Sequence, residues 1–356
     1  MGIVRTLLAL SVVFSHTPHP YILVGSRNAV QMFYMISGFL ISYVLLNTPA
    51  YRKPTIFWSN RALRLYPAYY AVAALTLVGF ALFNPAYWKT FFSLSGLAQA
   101  FVATVNVTLI GQDWTLFAEV HGGSLFFTGT APDTDVVGLV QMLVVLPAWT
   151  LGLELSFYLL APFMVRRPVV LLSLFAMSVT GRLIAIAYGF GLEDPWTYRF
   201  FPFELALFIA GMLSQQFLLQ PAIALVGKSG KARMPATIVA AFVIICSLYF
   251  AIPLPEAIKT LGLMALLFIS LPFLFIFQSK STWDKWIGDH SYPLYIGHLL
   301  VLLTLAYLVK KYEFIPPLSL TRSLLGVAGA LAFAAFLKIV VTDPIENRRR
   351  RIKRGL

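Results

Sequence analysis

The chain has 356 residues, of which 59% are hydrophobic and 12% charged, and its mean hydropathy is +0.80. That leaves too little polar surface to cover a soluble globule of this size, so the composition excludes a water-soluble protein and points to an integral membrane one. The formal net charge is +13, but Lys and Arg sit in short blocks between long apolar runs, a topology signal that leaves no basic soluble domain for nucleic acid.

Taken in order, the apolar runs bounded by charge, Pro or Gly predict ten spans, near 3–23, 29–46, 66–83, 137–164, 169–190, 199–219, 236–252, 258–277, 292–309 and 322–341. The expected architecture is an all-α polytopic membrane protein of about ten transmembrane helices, with a membrane domain over 1–346 and a basic tail over 347–356. On the side that holds the C-terminus lie Arg52, Lys53, Arg61, Arg64, Arg166, Arg167, Lys228, Lys231, Arg233, Lys280, Lys285, Lys338 and the run from Arg348 to Arg354. The opposite side has Arg27, Lys89, Arg199, Lys259, Lys310, Lys311 and Arg322, together with the acids Asp113, Glu119, Asp133, Asp135, Glu193, Asp194, Glu204, Glu256 and Glu313. By the positive-inside rule both termini are then cytoplasmic. Within the large external loop, 97–110 is apolar but punctuated by Gln99, Thr104, Asn106 and Thr108, and reads as a re-entrant or interfacial segment.

The first span carries Arg5 and His16. Eleven residues at roughly 100° each make about three turns, so the two share one helical face roughly 16 Å apart along the axis. Two readings are open: an N-terminal anchor with polar groups at each interface, or a stripe lining a reaction path through the bilayer. In the first cytoplasmic loop Arg61 and Arg64 stand at i and i+3, a pair suited either to a polyphosphate or to lipid headgroups. Glu154 follows Trp149 among apolar neighbours and must find a cation, a donor or water, whether as helix glue or as the partner of a catalytic histidine. In the ninth span Tyr295 and His298 also lie at i and i+3. The single cysteine, Cys246, excludes a disulfide framework, and no His, Glu or Asp spacing suggests a metal.

Assembled, these pieces resemble the acyltransferase-3 family of integral membrane O-acyltransferases. Arg5 to His16 is similar to its Arg-x10-His pattern, Phe33 to Ile41 to its second-helix signature, and Arg61-Ala-Leu-Arg-Leu-Tyr-Pro67 to its Arg-x-x-Arg stretch. Trp149 to Pro162 resembles its Trp-x-Leu-x-x-Glu-x-x-x-Tyr stretch, and Tyr292 to His298 the segment before its last two helices. The likeness runs from Arg5 to about Glu346; it departs at Asn60, where the family often has a further Arg, and in lacking the soluble C-terminal domain of some relatives.

The resemblance implies transfer of an acyl group, most often acetyl, from cytoplasmic acyl-CoA to a hydroxyl of an extracytoplasmic glycan or lipid-linked sugar, in a plasma membrane such as the bacterial inner membrane. His16 would be general base, with Glu154 orienting its imidazole and Arg5 steadying the donor or the developing negative charge. A covalent acyl-histidine intermediate is the competing route. Arg61, Arg64, Tyr295 and His298 would hold the acyl-CoA. A transporter or flippase for a glycan or acidic substrate would need similar spans and buried ionisable groups, and differs in moving its substrate without acyl transfer.

Overall fold

The computed structural model describes residues 1–20, 22–121, 124–129, 137–190, 194–228, 231–313, 316 and 318–353. Asp133, Asp135, Glu193 and Arg354, all part of the topology reading, lie outside the described residues. Helix dominates: α1 (Gly2–Ser15), α2 (Gly25–Asn47), α3 (Pro54–Phe83), α4 (Pro85–Ser93), α5 (Gly96–Thr108), α6 (Trp149–Met164), α7 (Pro168–Ala185) and α8 (Trp196–Arg199). There follow α9 (Phe201–Leu213), α10 (Leu219–Gly227), α11 (Met234–Ser247), α12 (Glu256–Lys280), α13 (Thr282–Gly288), α14 (Ser291–Tyr312), α15 (Leu320–Leu337) and α16 (Asp343–Lys353). A small antiparallel sheet of β1 (Ala118–His121), β2 (Ser124–Phe127) and β3 (Val137–Gly138), in the order β2-β1-β3, sits in the loop region.

Among the described residues 7 helical stretches are long and apolar enough to cross a membrane: Gly25–Asn47, Pro54–Phe83, Pro168–Phe190, Phe201–Gly227, Glu256–Lys280, Thr282–Tyr312 and Leu320–Glu346. The other three expected spans differ. Those near 3–23 and 236–252 are 14-residue helices, and 137–164 is helical in one piece only over the 16 residues of α6. The chain divides into two compact units, Met1–Pro54 with Leu207–Leu356, and Thr55–Ala206.

In the first unit, α1 starts on α13. The buried Asp284 carboxylate accepts from the backbone N–H groups of Gly2 and Ile3, both at 2.8 Å, and from the Met1 amine at 3.1 Å, where the helix dipole also favours an anion. A buried cluster of Ala9, Val13, Leu294, Val327, Ala330 and Ala334 then zips α1 to α14 and α15. The helix stops at Ser15 for local reasons. Ser15 Oγ donates to the Val12 carbonyl (2.7 Å), Thr17 Oγ1 donates to that of Phe14 (2.8 Å), and Pro18 disfavours helix at the residue before it. At 1.5 Å per residue α1 rises about 21 Å, short of the roughly 30 Å hydrocarbon core.

Elsewhere in this unit α2 and α9 approach through two glycines. A Cβ on Gly38 would overlap the Phe208 carbonyl oxygen, and one on Gly211 would overlap that of Met35. Gly38, in the second expected span, therefore serves backbone approach. Gly38→Ala should lower the melting temperature of the solubilised protein, at the upper end of an overpacking cost of about 1–3 kcal/mol. Gly262→Ala, where an added Cβ meets nothing within 4 Å, should leave it unchanged.

In the second unit α5 is tied down at its C-terminal end. Its last carbonyls are taken by three phenols of α3: Tyr66 donates to Thr108 (2.6 Å), Tyr69 to Asn106 (2.5 Å) and Tyr70 to Val107 (2.7 Å). A helix end can sit at membrane depth only if such orphan groups are met within the protein. Asn106 in turn serves the irregular 139–148 stretch, donating to Met142 O (3.1 Å) and accepting from Val144 N (2.8 Å), while Tyr87 also donates to Met142 O at 3.1 Å. These bonds meet backbone groups of the stretch where 137–164 breaks up.

The loop residue Asp113 is 3% exposed, and burial pushes its carboxyl up to about 6, against the N–H groups of Phe201 and Trp114 that hold its charge. An unfolded carboxyl ionises near 3.9. Between about pH 4 and 6 the folded state thus keeps a proton that the unfolded state has released, so this contribution to stability is full at low pH and lost as pH rises. Across that interval wild-type stability should fall relative to Asp113→Asn; parallel curves would contradict the assignment.

Candidate active site

His16 is the residue on which α1 ends. Its Nδ1 lies 2.8 Å from the Val12 carbonyl oxygen. A carbonyl only accepts, so Nδ1 carries the hydrogen and Nε2 presents its lone pair in the neutral ring. The side chain is exposed, as a base that must meet substrate requires. One turn beyond Leu294, which packs in the cluster with Val13, α14 brings up His298, whose ring centre is 5.1 Å from that of His16. His298 is fully buried; its Nδ1 is 2.6 Å from the Tyr295 carbonyl and its Nε2 has no hydrogen-bond partner among the described residues. Tyr295 stands edge-on to Phe33 at 6.0 Å, so the second-helix signature and the ninth-span pair meet here. Arg5 is half-buried on α1.

The second unit holds the other predicted residues. Arg61, 5% exposed, donates from Nη2 to Asn60 Oδ1 at 3.0 Å and lies over the Phe57 and Tyr158 rings, 5.7 and 6.0 Å from their centroids. Among the described residues no carboxylate is within ion-pair distance of it. A buried guanidinium neutralised only by ring faces and one amide oxygen suits an incoming anion. Arg64, half-buried, lies one turn on. The Tyr158 phenol donates to Glu154 Oε1, while Trp58 Nε1 donates to the Tyr158 carbonyl at 2.9 Å. Gly152 allows α6 to press on the turn at Leu109, where a Cβ would crowd the backbone oxygen.

The structure thus brings His16, His298 and Tyr295 together in one unit, and Arg61, Tyr158 and Glu154 together in the other. The bond that fixes His16 comes from a backbone carbonyl one helical turn back, a partner present for any residue type and therefore silent in the sequence. Asn60, a departure from the family pattern, is buried and supplies the acceptor for Arg61. A Trp-Thr-Leu stretch also stands at 114–116, ahead of the one at 149–151 that carries the motif, and it differs in kind. Trp114 is in a 3-10 turn, half exposed, and Glu119 on β1 pairs with His121 at 2.8 Å. Glu204, read as an external acid, forms an ion pair at 2.5 Å with Arg182, which falls within the expected span near 169–190.

The chain matches the Acyl_transf_3 family model, described as an acyltransferase domain, over residues 1–339. It belongs to the acyltransferase-3 family and is an integral membrane acyltransferase. No curated protein and no solved structure matches it.

Proposed function

We propose that the protein moves an acyl group, most often acetyl, from cytoplasmic acyl-CoA to a hydroxyl of an extracytoplasmic glycan or lipid-linked sugar. The membrane is the plasma membrane, such as a bacterial inner membrane, with both chain termini cytoplasmic. The observation that carries this reading is His16. It stands at the end of the 14-residue α1, with Nδ1 on Val12 O and Nε2 left to act as a base. Nε2 takes the proton of the acceptor hydroxyl as that oxygen attacks the thioester carbonyl; the carbon-sulfur bond breaks, and the thiolate regains a proton from the imidazolium. Arg5 steadies the negative charge that develops on the carbonyl oxygen. Glu154, fixed by the Tyr158 phenol, is the reaction's carboxylate. Tyr295 and His298 line the acyl-donor path beside His16.

Arg61 and Arg64 hold the phosphates of the donor, a role supported by the burial of Arg61, whose guanidinium has no carboxylate within ion-pair distance among the described residues. Replacing both by Ala should weaken acetyl-CoA binding by about 10²-fold, on the scale of two charge-assisted contacts. An unchanged affinity in a binding titration would remove them from the donor site. The function itself is tested by incubating purified protein with acyl-labelled acetyl-CoA and candidate glycans. Label on the sugar is expected; movement of glycan across the membrane with no label transferred would favour a transporter.

A further inference from the structure

The buried nitrogen that lacks a partner, Nε2 of His298, has a use. Its own Nδ1 is committed to the Tyr295 carbonyl, as that of His16 is to the Val12 carbonyl. In their neutral forms both rings therefore present a lone pair at Nε2. Two acceptors cannot bond each other, which accounts for the orphan on His298 despite an imidazole 5.1 Å away, centre to centre. Once one of the rings gains a proton, donor meets acceptor. A nitrogen-to-nitrogen hydrogen bond of roughly 3 Å, added to the two ring radii, matches that separation after a small ring rotation.

We propose that His298 is the proton partner of His16: a neutral imidazole that accepts a hydrogen bond from the His16 imidazolium and shares its proton. Two imidazolium rings this close would repel, so the pair holds one proton at a time. Within the acyl-transfer reading, the acceptor hydroxyl's proton passes to His16 Nε2, is shared with His298 Nε2 while the carbon-sulfur bond breaks, and returns through His16 to the departing thiolate. No proton is left over. His298 is a positioning residue acting through His16; only this use of the proton rests on the acyl-transfer reading, whereas the pairing is a property of the two rings.

Other groups on the elements packed around α1 are accounted for. Tyr295 shares α14 with His298, and Asp284 of α13 is taken up at the opposite end of α1. His19 Nδ1 is 3.0 Å from the hydroxyl of Ser323 on α15. Arg27 and Arg322 stand in the first turns of α2 and α15, and are unchanged by a substitution at His298.

The test reads His16 without using enzyme activity. Full-length protein in detergent is treated with diethyl pyrocarbonate, which modifies neutral imidazole, across a pH series, and the label on His16 is located by mass spectrometry. His298→Phe should move the midpoint of His16 reactivity down by about one pH unit, a tenfold weaker hold on the proton. His298→Gln, whose amide oxygen still accepts, should stay near wild type. An unchanged midpoint in His298→Phe would overturn the proposal, and so would an upward one, because then the rings only repel. Unsubstituted protein with nitrogen-labelled histidine gives a second measurement should Phe fail to fold. The His298 Nε2 resonance must shift in step with His16 protonation, and a resonance indifferent to it contradicts the pairing. Absence of acyl transfer in the wild type would defeat the functional reading and leave this result standing.

Discussion

His16→Ala is expected to lower acyl transfer by about 10²–10⁴-fold, the usual worth of a positioned general base. The protein should still fold. The substitution removes the Nδ1 bond to Val12 O, but Ser15 Oγ donates to the same carbonyl at 2.7 Å, so the end of α1 keeps its partner. Asp284 still anchors the other end through the Gly2 and Ile3 N–H groups. Loss of rate with an unchanged melting curve and unchanged acetyl-CoA binding would assign the deficit to proton transfer. Added imidazole should restore part of the activity if His16 is a base. A labelled acyl group trapped on wild-type His16 would favour the covalent route instead.

The largest effect on stability should follow Glu204→Ala. Glu204 is fully buried, and Arg182, 22% exposed, reaches it at 2.5 Å while also donating to the Thr197 carbonyl. The neighbouring Ser178 reinforces the same junction, donating to Pro202 O (2.6 Å) and accepting from Ala206 N (2.9 Å). Removing the carboxylate leaves a largely buried guanidinium with only backbone oxygen for company, and breaking one side of such a pair costs about 3–5 kcal/mol. Denaturant or thermal unfolding should show this loss. Arg182→Met with Glu204→Leu, which removes both charges, should recover much of it, because the penalty arises from the unpaired charge more than from the missing bond. Equal losses in the single and double variants would contradict that account.

Both predictions bear on what hydropathy can and cannot reveal. The long apolar runs of α2, α3, α7, α12, α14 and α15 announced themselves, since transfer energy sums along a chain. The end of α1 did not. The span read over 3–23 carries across the polar stretch from His16 to Pro20 to reach Ile22 and Leu23, but side chains at 15, 16 and 17 bond back to the helix and Pro18 follows, a competition over backbone groups that a hydrophobicity sum does not count. The same holds at 137–148, where the backbone turns irregular because Asn106 and Tyr87, remote in sequence, supply its hydrogen bonds. Among the candidate residues, Arg5, His16, Glu154 and His298 were legible because ionisable groups within apolar spans are costly, and with Arg61 of the basic loop they fall in a recognisable order. Their partners were not. The lone-pair relation of His16 and His298 depends on two backbone carbonyls and on α1 and α14 packing side by side.

The central claim is that donor and acceptor are served from opposite faces of one membrane. Proteoliposomes with the protein in a single orientation can be given labelled acetyl-CoA on the Lys- and Arg-rich face and a membrane-impermeant glycan on the other. Label on the glycan is expected in that arrangement, with little when both substrates are confined to the glycan side and little with His16→Ala. Label transferred equally well with both substrates on either single face, or transferred undiminished by His16→Ala, would contradict it.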